Sequence, residues 1–189
     1  LFVLSASPPE PEAPEEQPKG RRRPRRDPGG PEMLLHCLST TDGSVRWTQS
    51  LDEGNELHYK ASRASASPVT DGAHVWTVTG NGTVSAHDFD GALAWSTNLQ
   101  ERWGPFGLLW GYASSPVLHD GLLIVRVLHG MKTDDPSYIA AFDAKSGELR
   151  WHAERPTDAR LRRRARCGRR APRRAGSARR ALLPSGAHA

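Results

Sequence analysis

The 189-residue chain carries 26 Lys/Arg against 21 Asp/Glu, a formal net charge of +5, with two cysteines. A basic balance points to a nucleic acid or an anionic surface only when the charge lies on the folded part. Here residues 34–159 hold 9 basic and 15 acidic residues, residues 1–33 hold six of each, and residues 160–189 hold 11 Arg and no acid. The excess is a property of the tail. Cys37 and Cys167 form no CxxC, zinc spacing or disulfide framework. No run approaches the 18 apolar residues of a membrane span. No secretory leader opens the chain, and the missing initial Met reads as a piece of a longer protein.

In chain order, "LFVL" at residues 1–4 reads as the residual strand of a first blade-like unit. Residues 5–32 are Pro-, Glu- and Arg-rich, too poor in large apolar residues to offset ordering entropy, and read as a disordered insertion. Arg21 to Arg26 within it are a solvated charge run, with an anion-docking patch as the alternative. "MLLHCLSTTDGSVRWTQSL" at 33–51 completes the first unit, with Cys37 as a small buried residue.

Residues 64–99 and 112–155 then share one frame: SPV, a DG turn, a β-rich run, a loop, a second run, Gly, Trp. Pro68 and Pro116 are 48 apart, as are Trp47 and Trp95, while Trp95 and Trp151 are 56 apart. A period near 48 with short strands and no 3.6-residue periodicity points to propeller blades and excludes a helical solenoid. In the second unit the strands are expected near Ala66 to Val69, His74 to Thr79, Thr83 to Asp88 and Ala92 to Asn98. Asp71-Gly72, Asp90-Gly91 and Gly80-Asn81-Gly82 supply the turns. All the length variation falls in the loop between the second and third strands, so specialisation is expected on that face.

Gly43/Trp47, Gly91/Trp95 and Gly147/Trp151 repeat one spacing. The glycine closes a turn, and alternation places Val45 with Trp47, Leu93 with Trp95 and Leu149 with Trp151 on one face. Trp packing against the neighbouring blade explains the repeat without catalysis.

"AAFDAKSGELRW" resembles the docking motif of the pyrroloquinoline-quinone (PQQ)-like propeller repeat, with Ala141, Asp143, Gly147 and Trp151 matching. "HCLSTTDGSVRW" matches with Ser39 in place of Asp, and "SAHDFDGALAW" with a turn one residue shorter. The resemblance implies an all-β, incomplete β-propeller of four-stranded antiparallel blades, about 2.5 to 3 of them, in an extracytoplasmic protein, periplasmic or secreted. The family holds both quinoprotein dehydrogenases and cofactor-free scaffolds. The dehydrogenases add a catalytic Asp, a calcium site and often a vicinal disulfide. No adjacent cysteines occur here and no matched position carries the rest. The reading is therefore a non-enzymatic scaffold, with no catalytic residue, cofactor or metal, binding a protein or small ligand on the loop face. The alternative is a dehydrogenase piece using PQQ and calcium.

Trp103, Phe106, Trp110 and Tyr112, interleaved with glycines, are the candidate ligand contacts, with inter-blade packing as the competing and preferred explanation. Asp134-Asp135-Pro136 lacks the six to eight oxygens calcium takes and reads as a polar turn. The histidines show no HExxH or HxxxH spacing, and the serines of the SPV segments sit in no GxSxG. Residues 160–189, with 11 Arg, no Lys and no apolar period, read as a disordered tail from an out-of-frame or otherwise aberrant read of GC-rich DNA. A nucleic-acid-binding arm is the third functional class.

Overall fold

The computed structural model describes residues 1–9, 29–55, 57–58, 61–108, 111–130, 133 and 135–155. Most of the charged insertion and the whole arginine tail lie outside the described residues. Among the described residues the regular structure is antiparallel sheet apart from one short helix, as the repeat pattern requires. Blade 1 is a three-stranded sheet of β1 (Phe2–Ala6), β2 (Glu32–Leu38) and β3 (Val45–Glu53). A two-residue-stranded hairpin, β4 (Leu57–His58) and β5 (Ala61–Ser62), leads to blade 2: β6 (Val69–Thr70), β7 (His74–Val78), β8 (Thr83–Asp88) and β9 (Leu93–Asn98). The helix α1 (Leu99–Trp103) bridges to blade 3: β10 (Val117–His119), β11 (Leu122–Val127), β12 (Ser137–Asp143) and β13 (Leu149–Arg155).

Strands β1 and β2 run beyond the "LFVL" and "MLLHCLS" segments, to Ala6 and from Glu32, because Ala6 pairs with Met33. The first strand of blade 2 is displaced from the expected Ala66 to Val69 and begins at Val69. Pro68 has no N–H to give a ladder. The preceding Ser67 N–H instead donates to Ser115 Oγ at 2.9 Å, tying the two SPV segments to each other.

A second departure concerns the tryptophan strands. Each carries a β-bulge: Ala86 opposes Trp95 while the next residue, His87, opposes Leu93, leaving Ala94 as the extra residue. The same shift falls after Cys37 in blade 1 and after Ala141 in blade 3. Because consecutive residues of β8 face opposite ways, Trp95 and Leu93 lie on opposite faces, not together as simple alternation predicts. The forward face of each blade is thus a row ending in Trp: Phe2–Cys37–Trp47, Val69–Trp76–Ala86–Trp95, and Val117–Ile124–Ala141–Trp151.

These rows build the core between blades. Trp76, Val78, Val84 and Ala86 from blade 2 meet Leu123, Val125, Ala140 and Phe142 from blade 3, all essentially inaccessible. Trp95 completes the junction. Its indole covers Gly147 of the following blade, whose missing Cβ would lie 2.5 Å from Trp95 Cδ2. Its Nε1–H donates to Ala144 O at 2.9 Å, and Trp76 Nε1–H donates to the same carbonyl at 2.8 Å. Trp47 repeats the arrangement over Gly91, with Nε1–H donating to Phe89 O at 2.8 Å. The glycine that each tryptophan covers is therefore the next blade's.

Candidate functional site

Antiparallel strands send alternate connections to opposite ends of the blades, and the two ends differ in kind. One end holds short turns. Asp143 sits at the head of the 143–147 turn, where Oδ1 accepts Lys145 N–H and Ser146 N–H and Oδ2 accepts Arg150. The Ser146 backbone bond and then the Arg150 bond hold its carboxyl below the usual range. Asp88 heads the corresponding turn in blade 2, accepting Asp90 N–H and Ala92 N–H. In blade 1 the job passes to Ser39, which accepts Thr41 N–H, while Asp42 takes Ser44 N–H and is lowered to about 2 by bonds to the Ser39 and Ser44 side chains and the Ser44 amide.

The opposite end gathers the long connections: β1 to β2, β11 to β12, and the crossings between blades. They are braced to one another. Asn55 N–H donates to Pro31 O, and Gly80 N–H to Arg63 O. Gln100 is a clamp: its Nε2 donates to Asn81 O at 2.6 Å and its Oε1 accepts Phe106 N–H at 2.7 Å. Asn98 caps α1 through Gln100 N–H and Glu101 N–H while its Nδ2 donates to Thr83 Oγ1. Gly107 is held on both sides, its N–H donating to His129 Nδ1 at 3.1 Å and its O accepting Gly130 N–H at 2.8 Å. A Cβ on Gly107 would strike the Thr133 side chain, so only glycine permits this approach.

The aromatic segment lies beneath these loops. Trp103 stacks on His152 with ring centroids 4.6 Å apart, and Phe106 stacks on Tyr112 at 5.1 Å. Tyr112 and Tyr138 are buried, and desolvation raises both phenols. Trp110 lies outside the described residues. The structure thus brings Trp103, Phe106 and Tyr112 into one inter-blade cluster with mutually occupied faces. His129, which the sequence offers only as part of the polar 129–136 turn, joins this cluster instead: it is buried, its basicity is lowered by desolvation, and its Nδ1 accepts the Gly107 amide. Accepting the Gly107 N–H requires a lone pair on His129 Nδ1, which places the ring proton on Nε2. Its signal in the sequence is only its place at the end of a strand, beside Gly130.

A family model described as outer membrane protein assembly factor BamB matches residues 31–167. The chain belongs to that family. No curated protein matches the chain. Solved structures similar to it include a europium-containing methanol dehydrogenase, at 14% identity and TM-score 0.48, covering 66% of this chain and 23% of that one. Another is the quinohemoprotein alcohol dehydrogenase from Comamonas testosteroni, at 19% identity and TM-score 0.45, covering 71% and 22%. BamB from Moraxella catarrhalis is similar at 20% identity and TM-score 0.44, covering 66% and 34%. The chain spans about a third or less of the length of each.

Members of this repeat family carry the name of a quinone, whose fit can be judged on the residues present. A planar quinone needs free ring faces and convergent donors. Among the described residues, the candidate aromatic faces are taken up by His152 and Tyr112, and no three His, Cys, Asp or Glu side chains come together. The described part of this BamB-family chain does not fit a quinone–calcium pair. No described helix is long and apolar enough to cross a membrane.

Proposed function

We propose that the chain is a non-enzymatic scaffold that presents its braced loop end to a protein or other ligand in an extracytoplasmic compartment. The observation that carries this reading is the contrast between the two ends of the blades. One end repeats short, self-contained turns, and the other concentrates every long connection and fixes them by bonds such as Gln100–Asn81 and Gly107–His129. Rigidly positioned loops on a sheet scaffold are where recognition is commonly built. The description of the family as an assembly factor supports a protein partner. Leu128, 43% exposed in the connection after β11, is an apolar contact point on that end.

The test is a calorimetric titration of the 189-residue chain with PQQ and Ca2+, alongside a dye-linked assay with alcohols. No binding and no turnover are expected. Stoichiometric quinone binding with oxidation of an alcohol would reverse the reading in favour of a dehydrogenase. For the binding reading itself, a photo-crosslinking residue at Leu128 is expected to yield a discrete adduct in extracts, and one at Lys145 on the turn end is not. Equal labelling from both ends would count against a loop-face scaffold.

A further inference from the structure

We infer that Asn81 is a modification site: it loses its side-chain amide to water by way of the Gly82 nitrogen, at a rate set by how often the junction between blades 1 and 2 opens. This does not depend on the scaffold reading, and both sides of that junction lie within the chain. Asn81-Gly82 is the only Asn-Gly pair in the 189 residues. The other two asparagines, Asn55 and Asn98, are followed by residues that carry a Cβ, Glu56 and Leu99. Gly82 has none to hinder approach of its nitrogen to the preceding side chain, and it closes the turn between β7 and β8 at φ 87°.

The chemistry needs only water. The Gly82 nitrogen gives its proton to hydroxide and bonds to Asn81 Cγ. The Cγ–Nδ2 bond breaks, and the departing nitrogen takes a proton from water and leaves as ammonia. Water then adds to either carbonyl of the five-membered imide, giving aspartate or isoaspartate at position 81. Nothing is oxidised or reduced.

The folded chain holds each participant away from this course. The Gly82 N–H donates to Thr79 O at 3.0 Å, and the Gly82 carbonyl accepts Leu99 N–H. The departing nitrogen, Asn81 Nδ2, donates to Glu53 O of blade 1. Asn81 Oδ1 is inaccessible to solvent and has no partner among the described residues. The Asn81 carbonyl is gripped by Asn98 Nδ2 and Gln100 Nε2. Asp52 Oδ2 ties blade 1 to both shoulders of the turn, accepting Thr79 Oγ1–H and Thr83 Oγ1–H. Attack therefore requires Glu53 to release the amide, which is a local opening of the junction at its loop end. The reaction makes that opening one-way. A carboxylate oxygen then stands where Nδ2 donated, facing the Glu53 carbonyl and close to the Asp52 carboxylate. Isoaspartate also adds a methylene to the main chain of the turn that sets the Val78–Val84 register.

Peptide mapping of the full chain by mass spectrometry, after incubation at mildly alkaline pH in buffer and in urea, tests this. In urea Asn81 is expected to convert to aspartate and isoaspartate while Asn55 and Asn98 keep their amides. In buffer the conversion is expected to be at least about tenfold slower. Asp52→Ala, confirmed as folded by circular dichroism, is expected to react about tenfold faster than wild type in buffer and at the wild-type rate in urea. If Asp52→Ala does not fold, Thr83→Val replaces it, since it removes one of the same bonds. Gly147→Ala, which strains the other junction, is expected to leave the buffer rate unchanged. Asn81 retained in urea, a wild-type rate equal in buffer and urea, or a junction variant no faster than wild type in buffer would overturn the proposal. So would Gly147→Ala accelerating the reaction as much as Asp52→Ala, which assigns it to global unfolding. Asn81→Asp is expected to unfold at lower urea than Asn81→Ala, because it adds repulsion to a lost donor. Equal or reversed midpoints would overturn the one-way step.

Discussion

Gly43 and Gly147 occupy the same turn with nearly the same backbone, φ 74° and 72°, but in opposite surroundings. Replacing either with Ala forces an L-residue into the left-handed region, at about 1 kcal/mol. At Gly147 the new methyl also meets the Trp95 ring at 2.5 Å, so Gly147→Ala is expected to cost about 3 kcal/mol in all. Urea unfolding of the two variants against the wild type measures the difference. Equal losses would mean that Trp95 does not lie on Gly147 in solution. Trp95→Ala removes the same contact from the other side and is expected to cost about 3 kcal/mol.

Protonation is the other residue-scale handle. Burial lowers the basicity of both His87 and His129, so the unfolded chain binds protons that the folded chain refuses. Stability from these groups is complete above the unfolded value of about 6.5 and falls as pH drops through it. At His129 the proton would arrive on Nδ1, turning an acceptor into a donor that faces the Gly107 N–H. Unfolding free energy followed from neutral to mildly acidic pH is therefore expected to decline, and His87→Leu should flatten part of that slope. A flat wild-type profile between neutral and mildly acidic pH would contradict neutral burial.

Among the elements, the loop end depends on the five-residue helix α1. A helix that short has no stability of its own and persists because Asn98 caps it and Gln100 ties it down. Gln100→Ala removes the bond to the Phe106 amide, at a cost of about 1 kcal/mol. Hydrogen exchange at Phe106 is expected to speed up about fivefold, with the β8 amides unchanged. Uniform acceleration would show global destabilisation instead.

The strands were legible because each hairpin advertises itself through a glycine turn and a β-branched run, and because the pattern is stated more than once. What escaped detection has specific physical causes. The bulge at Ala94 adds a residue without altering composition, so alternation assigned Leu93 to the wrong face. The helix was announced by Asn98 with Glu101 three residues later, a capping pattern overshadowed by the strand leading into it. The hairpin of β4 and β5 is too short for a period to register. The aromatic cluster was visible as composition, but His152, which stacks on Trp103, and Tyr138, which meets it at a tilt, come from distant strands that no local spacing connects.

At the scale of the molecule, the junctions bind residues 44 and 52 positions apart, Trp47 to Gly91 and Trp95 to Gly147. Most of the apolar core lies between blades instead of within them, so a blade by itself has little to hold it. Thermal unfolding of the chain is accordingly expected to shift with protein concentration, because partly exposed apolar side chains on the blades associate as they open. A cooperative transition independent of concentration would show that three blades suffice alone.

The Ala144 carbonyl accepts indole N–H groups from both Trp76 and Trp95, using both its lone pairs on the preceding blade. Two bonds to one atom, from side chains on two different strands, behave as a latch: blade 3 can neither slide nor tilt on blade 2 without breaking one of them. The junction between blades 1 and 2 is held at both ends: Trp47 donates to Phe89 O at the turn end, and at the loop end Asp52 Oδ2 accepts both Thr79 Oγ1–H and Thr83 Oγ1–H while Asn81 Nδ2 donates to Glu53 O. Bonds at both ends leave that junction no free hinge, so the three blades travel as one piece.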